Sequence, residues 1–481
     1  MGHVARKGVS LYTIHLDDTW FAVRWAHHRS WQVTATCAVL SLLAVNTPHA
    51  CAQSTSVPLQ QSGTLLEHPS NGRLWLSGQI NLIWQFHGGF PSLYAGINSF
   101  RAEPEHALSR VWTVYTGARV TRHVQVLLDV ESAGGHGLSD ALGLAGFTNL
   151  DVVRNPSLGS TPYIARAIAV WTIPLSADES DVTPSPLSLQ SRVPVNRIDV
   201  RAGKLSLADF FDTNAVLSDS HMQFTNWTID NDGAYDYAAD TRGYTVGVMV
   251  EFVRSGWTAR GAEALMPTVA NGLHLDGNVS RAHADNVEFE VRPTSRFTMR
   301  FLGYANHANM GSYDEAIHQF RSGIVAQPDI VAVRRQGRAK TGAGVNLEYS
   351  APRLVRFAAR VGWNEGHHES FAYTEVNNTV QGGGDMTGEL WRRRRDRLGV
   401  ATVTNGLSSA HSKYLRLGGV GFLLGDGSLT YGRENIVEAY YTAYLTRGIS
   451  VAMGFQHVTN PGYNESRGPV SVGTVRIHMD L

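Results

Sequence analysis

Apolar and polar residues alternate one for one through segment after segment of this chain. In residues 73–85, Leu74, Leu76, Ile80, Leu82 and Trp84 share one parity, and Arg73, Gln79, Asn81 and Gln85 share the other. In residues 355–363, Val355, Phe357, Val361 and Trp363 alternate with Arg356 and Arg360. In residues 287–292, Val287, Phe289 and Val291 alternate with Glu288, Glu290 and Arg292. The chain ends with Val475, Ile477, Met479 and Leu481 against Thr474, Arg476, His478 and Asp480. A period of two marks β-strands with two unlike faces. In these four segments every charge has the polar parity. Residues 257–265 differ: Arg260 and Glu263 have opposite parity, so the pattern does not orient that segment.

Turn residues divide the strands in two styles. Short links are predicted at 121–123, 254–256, 293–295 and 351–353, and long ones at 87–108, 132–161, 208–240, 266–285 and 307–340. The pattern predicts about 16 strands in an all-β, antiparallel transmembrane barrel, with short periplasmic turns and long external loops. Two places disturb the count. Residues 177–195 are long for a periplasmic turn, and residues 405–434 have room for a helix, an extra strand or both.

A soluble β-sandwich also alternates, so the targeting segment matters. Residues 31–45 form an apolar run preceded by Arg24, His27, His28 and Arg29, and Ala50-Cys51-Ala52 has the small-residue form of a cleavage site. This is read as a secretory signal over residues 1–52 with an over-long N-terminal start; residues 53–71 form a short periplasmic segment, and residues 72–481 the barrel. No later run supplies the roughly 18 apolar residues of a spanning helix. Strands closed into a barrel cross without one. Charge placement agrees, because a lipid-facing Arg or Lys near the bilayer midplane costs about 2–4 kcal/mol.

Composition sharpens this in three respects. The 48 Gly, 11 Trp and 17 Tyr suit tight turns and aromatic girdles. Lys and Arg balance Asp and Glu at 41 each; removal of the signal with Arg6, Lys7, Arg24, Arg29, Asp17 and Asp18 leaves 37 against 39. No strong field points to nucleic acid, which is not an expected partner. The two cysteines, Cys37 and Cys51, leave with the signal, so the mature chain is expected to cross the oxidising periplasm without thiols.

Two blocks then point to a family. Residues 204–243 carry Gly203-Lys204 at their opening, Phe211-Asp212-x-Asn214, Gln223-Phe224-x-Asn226-Trp227 and Asp240-Thr241-Arg242-Gly243. Residues 391–481 carry Asn405-Gly406-Leu407-Ser408, Gly425-Asp426-Gly427, Glu438-Ala439-Tyr440-Tyr441 and Asn460-Pro461-Gly462. Together they resemble the carbohydrate-selective, OprB-like outer-membrane porins, with similarity running in pieces from about Gly72 to the end. The resemblance implies a 16-stranded barrel, narrowed by inward-folded loops, that passes glucose-like mono- or disaccharides by diffusion. It also implies outer-membrane lipid and lipopolysaccharide around the barrel, insertion by the barrel-assembly machinery, and in many members a homotrimer. The chain departs from the pattern at Leu481, where the family has a terminal aromatic, and in the run Arg392, Arg393, Arg394 and Arg395.

A pore selects sugars with opposed charged donors and acceptors plus aromatic surface, each weak enough to release. Arg197, Asp199 and Arg201 share the polar parity of one strand and lead into Lys204, while Gln125, Asp129 and Glu131 share that of another; the two sets are read as opposing walls of a constriction. Ordinary water-lined positions would look the same. Asp209, Asp212, Asn214, Trp227 and Tyr235 lie in the loop that the resemblance folds inward, though Asp212 and Asn214 also suit turn capping. Glu438, Tyr440 and Tyr444 point inward by parity. The arginine run is a candidate basic cluster at the rim, for anions or lipopolysaccharide phosphates.

Catalysis and cofactors find no support in the motifs. No His-Glu-x-x-His, phosphate-binding loop or Gly-x-Ser-x-Gly is present, and the 20 His show no metal-ligand spacing. The alternatives to a sugar porin are a general or anion-preferring pore and, from another class, a rim hydrolase or adhesin.

Overall fold

Strands with one apolar face leave unpaired edges, and a bilayer does not tolerate an open edge. In the computed structural model the sheet removes its edges by closing on itself. The structure describes residues 63–66, 72–146, 148–149, 155–351, 354–372 and 374–481; the signal-segment reading lies outside them, as does most of residues 53–71.

The strands are β1 (Leu74–His87), β2 (Glu105–Arg119), β3 (Val124–Gly135), β4 (Tyr163–Pro174), β5 (Glu179–Asp181), β6 (Arg192–Pro194), β7 (Arg197–Leu205), β8 (Thr245–Arg254) and β9 (Trp257–Leu265). They continue with β10 (His283–Thr294), β11 (Phe297–Met310), β12 (Arg335–Ser350), β13 (Val355–Asn364), β14 (Asn378–Gly388), β15 (Arg393–Gly406), β16 (Glu434–Thr446), β17 (Ile449–Thr459) and β18 (Val470–Asp480). All but β5 and β6 form one closed antiparallel barrel of 16 strands. Its seam joins β1 to β18, from Gln79 opposite Asp480 to His87 opposite Val472. Leu481 continues the seam, its amide donating to the Gly78 carbonyl at 2.8 Å.

The two parities become two surfaces. Leu76, Trp84, Trp171, Val250, Phe289, Phe357, Val361 and Trp363 are exposed outward. Gln79, Asn81, Gln85, Glu288, Glu290, Arg356, Arg360 and Arg476 are buried inward. No helix among the described residues is long and apolar enough to cross a membrane; the crossing is made by strands. The structure also orients β9. Arg260 points inward to Glu251 at 2.9 Å and to Glu288. Glu263 is exposed on the outer face, in register with the exposed Asp285 of β10.

The two disturbed places are now explained. Residues 177–195 hold the β5–β6 hairpin, which folds back under the short-turn end; the Leu189 amide donates to Gln125 Oε1 at 2.6 Å. Residues 405–434 hold a helix, Ser409–Arg416, and no extra strand. Ser408 starts that helix by accepting from the His411 amide at 3.0 Å.

Candidate functional site

Residues 206–244, between β7 and β8, do not stay outside the barrel. They fold into it and are mostly buried. Local chemistry shapes the segment. Asp212 has φ 57°, a left-handed conformation that Asp tolerates better than most residues. Asn214 Oδ1 accepts from the Val216 and Leu217 amides at 2.9 and 2.7 Å. Asn226 caps the helical turn Trp227–Asp230 by accepting from the Thr228 amide.

Inward-facing wall residues then tie the segment across the lumen. On β13, the fully buried Arg360 donates to the carbonyls of Ile229, Asp230 and Asp212 at 3.0, 3.2 and 2.8 Å, and its Nε lies 2.9 Å from Asp212 Oδ2. On β16, Glu438 accepts from the Thr225 and Asn226 amides at 2.5 and 2.9 Å. On β18, Arg476 donates to the carbonyls of Ser220 and Gln223 at 2.7 and 2.9 Å. Gln381 of β14 holds the Asn231 carbonyl at 3.0 Å, and Lys340 of β12 pairs with Asp236 at 3.1 Å. Hydrogen bonds to charged groups contribute about 1.5–3 kcal/mol each, so the loop is held firmly against the β10–β18 side.

Space remains on the other side, against β1–β4. A cavity of about 340 Å³ lies there, lined by Tyr115, Glu131, Tyr163, Arg166, Asp209, Trp227, Asp230, Tyr237, Arg242 and Tyr244. A second cavity, of about 510 Å³, lies toward the short-turn end, lined by Trp75, Pro184, Pro186, Met222, Tyr444, Arg447 and Leu481. Both include Gln79, Tyr115, Asp219 and His221 in their walls. These four residues stand where the two cavities adjoin. Gln79 Nε2 lies 3.2 Å from His221 Nε2, and the His221 ring stacks on His478 at 5.8 Å.

The first cavity combines fixed charge with aromatic surface. Arg166 makes a two-pronged contact with Asp209, at 2.7 and 2.8 Å, and reaches Asp129 at 3.2 Å. Glu131 accepts from Tyr163, from Tyr244 at 3.1 Å and from Thr113 at 3.0 Å. Arg242 lies 3.8 Å from the Tyr163 ring centre. Burial pushes the Asp230 carboxyl up to about 8, against the opposing hydrogen bond from Ser220. Asp230 therefore gains its negative charge as the pH rises through about 8. Raising the pH from 6 to 9 is expected to increase cation preference, read as a reversal potential under a salt gradient; Asp230→Asn should remove that part of the pH response.

The structure places the sequence candidates unevenly. Glu131, Asp209 and Trp227 line the first cavity, and Tyr444 lines the second. Asp129 lies behind Arg166. Asp212, Asn214, Glu438 and Tyr440 are anchors: Tyr440 packs edge-on against Phe224 at 4.8 Å. Tyr235 is buried and donates to Asn286 at 2.8 Å. Arg197 pairs with Asp199 at 2.7 Å, and Arg201 with Glu251 at 3.1 Å. Lys204 is aligned with outward-facing Ala167 and Val246, and its ammonium lies 5.7 Å from the Tyr244 ring.

Two expectations are corrected. The set on β7 and the set on β3 do not oppose each other: only β4 separates these strands, so both lie on one side of the lumen. The hairpin β5–β6 makes β4 and β7 neighbours, and parity alone carries no information on strand order. The second correction concerns Arg392, Arg393, Arg394 and Arg395. Arg392 lies in the β14–β15 turn and Arg393, Arg394 and Arg395 begin β15, at the short-turn end. That end is periplasmic in such barrels, away from the leaflet that carries lipopolysaccharide. Arg393 pairs there with Asp396, Arg394 lies 3.6 Å from Glu389, and Arg395 lies 5.4 Å from the Tyr444 ring.

Sequence reasoning missed Arg166, Asp219, His221, Arg242 and most of the aromatic wall. Arg166 sits where the β3–β4 register shifts, so its parity was broken by a bulge. Asp219, His221 and Arg242 lie in an irregular loop, which has no parity to read.

Comparison with known proteins fits this architecture. Residues 171–481, more than half of the chain, match the profile of the carbohydrate-selective porin, OprB family. The chain belongs to that family. This OprB-family porin is an outer-membrane β-barrel through which sugars diffuse. Its fold is similar to the high-pH structure of Pseudomonas putida OprB, with a TM-score of 0.64 at 13% identity over 85% of this chain and 94% of that one. The low-pH structure of the same Pseudomonas putida protein gives a TM-score of 0.44 at 9% identity, covering 84% and 92%. A loop-deleted OmpT of Vibrio cholerae gives 0.44 at 8% identity, covering 85% and 100%. No curated protein matches the sequence.

Proposed function

We propose that mono- and disaccharides cross this porin between the loop 206–244 and the β1–β4 wall, through the neck at Gln79, Tyr115, Asp219 and His221. One observation supports this reading: the two cavities share those four residues in their walls and so adjoin, as successive compartments of one route would. Their volumes fall within the range of small-molecule sites, about 300–1,000 Å³. The chemistry suits a sugar. Arg166 and Arg242 donate, Glu131, Asp209 and Asp219 accept, and Tyr115, Tyr163, Tyr237 and Tyr244 offer ring surface. Conduction requires each such contact to be weak enough for release. No bond is made or broken in passage.

The anion-preferring alternative has the cavity charges against it. Glu131, Asp209 and Asp219 outnumber Arg166 and Arg242 in the first compartment. The test is stepwise conductance in planar bilayers with a graded sugar series. Glucose and maltose should reduce the ion current in a saturable manner, and longer oligosaccharides should do so progressively less. Current unaffected by every sugar would contradict the reading.

A further inference from the structure

The outer face carries a cluster that sugar passage does not use. His283 and Asp285 lie two residues apart on the outward parity of β10, at the end that enters the long 266–282 connection. His307 of β11 is directly opposite His283. The cluster lies toward the external end of its strands: His283 is the first residue of β10 after the 266–282 connection, four residues outward of the exposed Val287.

An outward-facing cluster of this kind needs an explanation. The two imidazole rings stack at 4.6 Å between centres, inclined by 21°. The Nδ1 atoms of both rings are buried and have no hydrogen-bond partner. His283 Nε2 lies 3.6 Å from Asp285 Oδ2. One ligand atom from each of the three residues lies within 4.8 Å of the others, and among the described residues no other His, Asp and Glu group has that spacing. On the neighbouring strand β9, Glu263 faces Asp285 directly. Like charges opposite one another on a sheet are destabilising; a bound cation would offset this.

We propose that His283, Asp285 and His307 form a binding site for a divalent transition metal of the zinc type. Two imidazoles and a carboxylate are a borderline-soft donor set that suits zinc better than calcium or magnesium. Zinc–ligand distances of about 2.0–2.2 Å place tetrahedral ligands about 3.3 Å apart. Binding would draw the present spacing, within 4.8 Å, in to that value by side-chain rotation. Three protein ligands leave a coordination position for water or an external oxygen donor. Glu263 adds negative charge beside the site without being one of the ligands.

The test uses the folded porin in detergent, without a histidine tag, titrated with zinc alone by calorimetry. Heat-modifiable gel migration reports folding of each variant. One high-affinity equivalent is expected. His283→Ala and His307→Ala should each weaken it by at least about tenfold, since even supporting contacts around a metal cost that much. His318→Ala, on the external helix Tyr313–Arg321, should leave it unchanged. Cobalt added in place of zinc should give a visible ligand-field absorption that both variants lose. An unchanged zinc equivalent in the His283→Ala, His307→Ala double variant, with folding intact, would overturn the proposal, as would the absence of any high-affinity equivalent in the unaltered porin.

Discussion

Replacing Arg360 by Met is expected to free the inner loop and open the channel. The side chain is almost fully buried and holds three loop carbonyls together with the Asp212 carboxylate. Met keeps much of the volume and removes every one of these contacts. Removing one partner of a buried ion pair costs about 3–5 kcal/mol, and here the loss falls on the loop, because β13 remains paired on both sides. The barrel should therefore still assemble, while residues 212–230 leave the β13 wall. Single-channel conductance should rise severalfold with added noise, and maltose block should weaken by at least about tenfold, equivalent to 1.4 kcal/mol. Arg292→Met is the control. Its partners, Glu290 and Thr258, belong to the barrel wall alone, so conductance should stay near that of the parent.

Replacing Arg166 by Ala should change both sugar recognition and ion preference. Arg166 holds Asp209 with both prongs of its guanidinium and sits against Asp129, whose side chain is 1% exposed. Its loss leaves two carboxylates without their cation beside the route. The expected result is a shift toward cation selectivity and at least about a tenfold weaker sugar block, since one good charged contact is worth that much. Arg166→Lys separates the two effects. A lysine restores positive charge but lacks the planar two-pronged donor, so ion preference should return toward the parent while sugar block stays weak. Unchanged block in both variants would take Arg166 out of the route.

The barrel was legible because its signal is local. Period-two alternation assigns Leu76, Trp84 and Trp363 to lipid and Gln79, Arg356 and Arg360 to the lumen without knowledge of any partner strand. The inward pointing of Glu438 and Tyr440 followed from the same rule. Strand order is not local, so Arg201 and Asp129 were assigned to facing walls when only β4 lies between their strands. The loop was harder still. The family resemblance placed residues 204–243 inside the barrel, but no spacing in the sequence says that Thr225 meets Glu438 or that Asp212 meets Arg360. Those contacts span more than 140 positions and exist only after closure. The same holds for His283 and His307, which are 24 positions apart in sequence and become neighbours through the β10–β11 register.

The central claim is that solute passes on the β1–β4 side of the inner loop, through a neck that includes His221. Both native cysteines, Cys37 and Cys51, precede the barrel, so a thiol can be introduced into it alone. Purified His221→Cys porin in a planar bilayer, exposed to a bulky charged methanethiosulfonate, should lose most of its conductance and its maltose block. Ala238→Cys, buried among the loop and far-wall side chains, should be unaffected. Full conductance and normal sugar block after demonstrated modification of His221→Cys would contradict the account.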